Sequence, residues 1–80
     1  MSYRPTKELV LEEDEQFIVR ATQELLVQAD KILEFNYSGD KWFSLGAGTL
    51  NVLDCTTTLY LHAPIGGGQV ICTYSEGVTV

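Results

Sequence analysis

His62 is the chain's single imidazole, and Cys55 and Cys72 are its two thiols. Hydrolytic catalysis needs a nucleophile, a base and an acid that orients the base. Serines and carboxylates are present, but no Gly-x-Ser-x-Gly elbow occurs. His62 closes a strand-like run and reads as structural, so no catalytic residue is expected. Two cysteines and one histidine fall one ligand short of a zinc site, and there is no Cys-x-x-Cys pair. Glu12, Glu13, Asp14 and Glu15 offer the oxygen ligands calcium takes, but without the EF-hand spacing or its glycine. The cluster reads as a solvated turn between the first and second strands. Gly46-Ala47-Gly48 and Gly66-Gly67-Gly68 are not followed by Lys-Ser/Thr, so they read as hairpin connections rather than phosphate loops. Neither a metal nor a cofactor is expected.

Trp42, Phe43, Tyr37, Tyr60 and Tyr74 could build an aromatic platform for a sugar. Aromatic rings in a domain this small are expected to fill the core instead, with tyrosine hydroxyls at the rim. A Cys55–Cys72 disulfide would close a loop worth ~3 kcal/mol. MSYRPTK has no apolar stretch and does not read as a secretion signal, so the expectation is two reduced thiols packed as small hydrophobes.

The elements that position these residues must come from 80 residues, which is one domain with a thin core. Residues 1–7 read as an extended arm, held out of helix by Pro5. No Gly or Pro interrupts residues 7–37, and Leu11, Ile18, Leu25 and Ile32 repeat every seven, which allows one long helix. The second heptad row contains Asp14 and Gln28 and fails. Alternation fits better: Phe17, Val19 and Ala21, then Leu25, Val27 and Ala29, then Leu33, Phe35 and Tyr37. Ser38-Gly39-Asp40 is a turn on composition. Further strands follow at Trp42–Leu45, Thr49–Leu53 with Leu50 and Val52 on one face, Thr56–His62, and Gln69–Ser75. Gly77 then breaks the pattern before a tail, Val78-Thr79-Val80. The last strand, QVICTYS, lacks proline and reads as an edge open to another chain. "LLVQADKILEFNY" and "LNVLDCTTTLYLH" echo one another, which reads as shared strand-turn-strand patterning rather than duplication. The fold expected is all-β: a small antiparallel β-sandwich or barrel of about seven or eight short strands over residues 8–80, with the arm at residues 1–7.

The chain carries a net charge of −6. Both charges of the first seven residues, Arg4 and Lys7, are positive, leaving eleven acids and three bases, a net of −8, for residues 8–80. Such a body repels phosphates, so no nucleic acid partner is expected. It could imitate DNA, but the acids are expected simply to keep the protein soluble. No apolar run approaches the roughly 20 residues of a membrane span.

The stretch "YSGDKWFSLGAGTLNVLDCTTTLYLHAPIGGGQVICTYSEG", about half the chain, resembles the β-rich part of small bacteriophage virion proteins: capsid decoration or cement subunits, head-fibre bases and related tail-tip modules. The shared order is a Gly-Asp turn, an aromatic strand, "GAGT", "TTTLYLHAP" and "GGGQVICTY". The resemblance implies a non-enzymatic virion structural protein, made in the host cytoplasm and carried on the particle surface. It also implies a symmetric homo-oligomer, often a trimer, whose partner is the major capsid protein or another virion protein. The candidate partner-binding residues are Tyr3, Arg4 and Lys7 of the arm, which either grips a capsid lattice or is a frayed terminus. The alternative function is a small acidic inhibitor of a host defence system acting by protein–protein binding.

Overall fold

The structure is a computed structural model that describes residues 2–38 and 41–79. No helix occurs among the described residues, so none there is long and apolar enough to cross a membrane. Nine strands form among the described residues: β1 (Ser2–Tyr3), β2 (Lys7–Leu11), β3 (Gln16–Val19), β4 (Glu24–Ala29), β5 (Leu33–Asn36), β6 (Phe43–Leu45), β7 (Asn51–Asp54), β8 (Leu59–His62) and β9 (Val70–Val78). The all-β sandwich expected from alternation is the fold observed.

Sheet A runs β1/β2–β9–β4–β7 and sheet B runs β3–β8–β5–β6, with all pairings antiparallel. β1 and β2 lie on the same side of β9 and act as one interrupted edge strand. Tyr3 opposes Gly77 but Lys7 opposes Tyr74, so four steps on one side match three on the other. The extra residue is a bulge. It falls where Pro5 has no N–H to donate, the position an edge strand tolerates. Counting β1 and β2 together gives eight strands in the double-sheet jelly-roll order.

The chain changes sheet at every connection from β2 to β5, stays in sheet B for the β5–β6 hairpin, then changes sheet again at each step to β9. The two glycine loops are therefore not hairpin connections. Gly46-Ala47-Gly48 leads from sheet B to sheet A, and Gly66-Gly67-Gly68 does the same for β8 and β9. Gly66 and Gly68 have φ of +84° and +74°, which L side chains rarely adopt. The two echoing segments follow the same path, β4 to β5 and β7 to β8. They pair with each other in both sheets: Leu26 opposes Val52 and Phe35 opposes Leu61.

Several sequence expectations change in detail. β9 does not stop before Gly77 but runs through it to Val78, paired on both sides, so QVICTYS lies inside its sheet and is not an edge. Thr56-Thr57-Thr58 is not strand: Asp54 Oδ1 accepts the Thr56 N–H and turns the chain. Leu50 and Val52 do share a face, but it is the solvent face, and Leu53 points inward. Gly39, Asp40 and Val80, which belong to the expected turn and tail, lie outside the described residues.

The core sits between the sheets. Leu25, Val27, Val70 and Cys72 come from sheet A, and Val19, Leu33, Leu59 and Leu61 from sheet B; all are buried. Leu25, Val27 and Ala29 point inward as the alternation requires. Phe17 of β3 meets Tyr74 of β9 across the layers at 5.6 Å between ring centroids. The Tyr37 hydroxyl donates to the Asp54 carbonyl at 2.6 Å, tying the end of β5 to β7.

Candidate functional site

Sheet B places a polar constellation on its outer face. Register alone aligns Gln16 of β3, His62 of β8 and Glu34 of β5 in one row across three strands. The neighbouring row holds Ile18, Tyr60 and Asn36. Trp42 precedes β6, next to Phe43, which pairs with Phe35. The Trp42 ring lies over His62, with centroids 4.6 Å apart and planes 32° from parallel. His62 Nδ1 faces Glu34 Oε1 at 3.2 Å, and Nε2 faces Asp14 Oδ1 at 2.8 Å. Its side chain is only 10% exposed although it belongs to an outer face.

Asp14 reaches the ring from the turn between β2 and β3. The turn is closed by Glu15 N–H donating to the Glu12 carbonyl and by Glu12 N–H donating to Glu15 Oε1. Asp14 N–H donates to the Ala63 carbonyl just beyond His62. The acidic cluster is thus a turn, as its sequence implied, but one member is fastened to the histidine. Both ring nitrogens are engaged by carboxylates and the side chain is mostly covered. No three His, Cys, Asp or Glu side chains among the described residues could hold a metal ion.

Beside the stacked pair lies a cleft of about 320 Å³ lined by Gln16, Asn36, Ser38, Trp42 and Tyr60. A larger hollow of about 580 Å³ lies among the loops, between Asp30, Lys31 and Ile32 on one side and Pro64, Ile65 and Gly66 on the other. The aromatic residues divide between roles. Tyr74 is in the core, and Phe35 packs against Tyr37 and Phe43, with centroid separations of 5.8 and 5.5 Å. Trp42 and Tyr60 face the cleft.

The arm residues lie along sheet A. Tyr3 opposes Gly77, and Gly77 opposes Glu24. With no side chain between them, the tyrosine spans β9, and its hydroxyl donates to Glu24 Oε2. Accepting that bond, the Glu24 carboxylate holds the Tyr3 hydroxyl above its ordinary pKa. Arg4 pairs with Glu76 at 3.2 Å, and Arg4 N–H donates to the Glu76 carbonyl. Lys7 opens β2, exposed at the sheet edge. The structure therefore brings Tyr3, Arg4 and Lys7 together on one edge strand, held against β9.

The outer face of sheet A carries exposed apolar side chains among its polar ones. Val10 pairs with Ile71 and Leu26 with Val52, with Leu50 beside them. Leu50 and Val52 are each 59% exposed. Thr6, Gln28, Thr73 and Ser75 fill the space between, around a shallow groove of about 260 Å³. Glu8, Glu24, Asp30 and Asp54 stand around these residues. Composition could not reveal this face, because Leu50 and Val52 look like core residues until the register of β7 is known.

Both cysteines are free and fully buried. Burial raises the Cys55 thiol and pushes Cys72 from 9.0 up to about 11, with a smaller contribution from Asp30.

The sequence matches no protein family and no curated protein. Among solved structures, the chain is similar to a de novo designed double-stranded β-helix determined by solution NMR. The TM-score is 0.70 at 14% identity, covering 92% of this chain and 100% of that one. The likeness shows the fold alone. It agrees with the strand order, since a double-stranded β-helix is this wrapping of two paired ribbons between two sheets.

Proposed function

We propose that the chain is a non-enzymatic structural subunit that associates with further copies of itself and decorates a bacteriophage head. The observation that carries the self-association is the set of exposed apolar side chains on the outer face of sheet A: Val10 and Ile71 on one side, and Leu50 and Val52 on the other, of a short uncharged polar row. Exposed apolar side chains of this kind mark association surfaces, and the acids of the same face, Glu8, Glu24 and Asp54, stand at its edge and one end. A second copy also covers apolar surface that a thin-cored domain leaves open. The virion role rests on the resemblance of residues 37–77 to phage decoration proteins. The arm, with Arg4 and Lys7 on an edge strand, supplies the contact to the capsid partner. The acidic inhibitor would need its carboxylates on one face, and they are divided: Glu8, Glu24 and Asp54 stand on the outer face of sheet A, whereas Asp14 and Glu34 meet His62 on that of sheet B.

Sedimentation equilibrium on the wild-type chain and on Val52→Glu tests the association. The wild type is expected to form a symmetric oligomer, with a trimer as the specific expectation, and the variant a monomer with unchanged melting. A wild type that keeps the mass of one chain up to millimolar concentration refutes it. Co-sedimentation with purified phage heads tests the second half. Full-length protein that stays at the top of the gradient at every concentration removes the decoration role.

A further inference from the structure

The cleft on the outer face of sheet B lies on the side of the sandwich opposite the self-association face, and its contents are those of a binding site. Its walls come from different strands of a rigid sheet: Gln16 from β3, Tyr60 from β8, and Asn36 and Ser38 from the end of β5. Its apolar wall is Trp42, fixed by the His62 ring beneath it at 4.6 Å, and His62 is held in turn by Asp14 and Glu34. An aromatic side chain held in this way does not have to be ordered when a ligand arrives.

One cleft residue, Ser38, has a left-handed backbone, and so does Asp14 behind His62. The non-glycine residues at positive φ among the described residues are Asp14 at 65° and Ser38 at 103°. One secures His62 and the other lines the cleft. Ser38 is held there by its N–H donating to Asn36 Oδ1 at 2.8 Å. Glycine would take φ of 103° without strain, whereas here the residue carries a hydroxyl at the rim. Strain of this kind persists where surrounding structure enforces it, and it clusters at ligand sites.

Several polar groups of the cleft are open. The Gln16 amide, the Ser38 and Tyr60 hydroxyls and the Trp42 indole N–H make no hydrogen bond to another described residue. Amide and hydroxyl groups both donate and accept, which suits hydroxyls on a ligand. No lysine or arginine lines the cleft, and Asp14 and Glu34 stand behind it, so an anion is disfavoured. The volume is at the small end of the ~300–1,000 Å³ typical of ligand pockets.

We infer that this cleft binds a neutral carbohydrate, one or two rings of a glycan, with the apolar C–H face of a ring on Trp42 and hydroxyls on Gln16, Ser38 and Tyr60. The inference does not depend on the virion role or on self-association, which use the opposite face. The test titrates the full-length chain with lactose, maltose, cellobiose and N,N′-diacetylchitobiose. Emission of Trp42, the only tryptophan, reports binding. Saturable change is expected with at least one of them. Tyr60→Phe and Gln16→Ala should each weaken it about tenfold, and Val52→Glu on the other face should leave it unchanged. Two variants are used so that a fold defect in one, visible by circular dichroism, leaves the other to decide. Failure of all the disaccharides to saturate refutes the assignment. So does binding that both cleft variants retain in full, or tighter binding of sialyllactose than of lactose.

Discussion

Cys72 gives the most quantitative handle on the core. It sits in β9 between Leu9 of β2 and Ala29 of β4, with no exposed surface. Burial, with a smaller push from Asp30, moves its thiol from 9.0 to about 11. The sign follows from which state ionises first. Below pH 9 the thiol is neutral in both states and nothing is lost. Above pH 9 the unfolded chain gains by ionising while the folded chain cannot follow, so stability falls until the pH passes about 11. With ~1.36 kcal/mol per pKa unit, the loss from this group is about 1.4 kcal/mol at pH 10 and approaches about 2.7 kcal/mol beyond pH 11. A chain of this length has roughly 4–12 kcal/mol of stability in total, so the effect is large. Urea unfolding at pH 7.5 and at pH 10, followed by circular dichroism, measures it. Cys55, Tyr37 and Tyr74 are also raised, each mainly by burial, and shift the wild type in the same direction. The informative quantity is therefore the difference between wild type and Cys72→Ala. The variant is destabilised at both pH values but should lose about 1.4 kcal/mol less between them. Equal losses refute the assignment. So does a Cys72 thiol that, in a Cys55→Ala background at pH 8.5, reacts with iodoacetamide as fast as free cysteine.

Other perturbations separate the parts of the fold. Leu61→Ala empties the middle of β8, opposite Phe17 and Phe35, and should cost about 2–5 kcal/mol, read as a lower urea midpoint. His62→Ala leaves Asp14 and Glu34 without their shared partner and uncovers one face of Trp42; a loss of about 2 kcal/mol should accompany a red shift of Trp42 emission. Deleting residues 1–6 removes β1, the Tyr3–Glu24 bond and the Arg4–Glu76 pair but spares β2. Differential scanning calorimetry should show a cooperative transition about 5–10 °C lower, and a melting temperature identical to wild type would show that the arm contributes nothing to the body.

Alternation made the sheets legible. Leu25, Val27 and Ala29, or Val70, Cys72 and Tyr74, place a side chain inward every second residue and can do little else. The edge assignment failed for a different reason. A strand's position in its sheet is a long-range property, and β9 is interior because β1 and β2 pair along its outer side. Gly77 misled in the same way. In isolation it breaks a strand, but in the sheet it is the gap that lets Tyr3 reach Glu24. The three threonines carry high strand propensity, yet an Asx turn at Asp54 claims the first of them.

The cleft was hidden because its parts share no local pattern. Gln16, Glu34 and His62 come together only when β3 and β5 both pair with β8, two registers that no window of sequence contains. Around them the usual cues point elsewhere: Asp14 reads as one more acid in a solvated turn, Ser38 as turn composition, and Trp42 as core. The signal lies in the structure instead, in the burial of His62. A lone histidine at a strand end should be either solvent-exposed or an apolar-face residue, whereas this one alternates outward between Leu61 and Ala63 and is still almost covered. Covering an outward imidazole requires side chains that reach over the sheet from elsewhere. The residues that do so here, Asp14, Glu34 and Trp42, are those that border or line the cleft. In a domain whose core is only two sheets thick, an outer face folded over in this way is a second, polar layer of structure. The contacts of His62 with Asp14, Glu34 and Trp42 are what distinguish the cleft from an ordinary solvated surface.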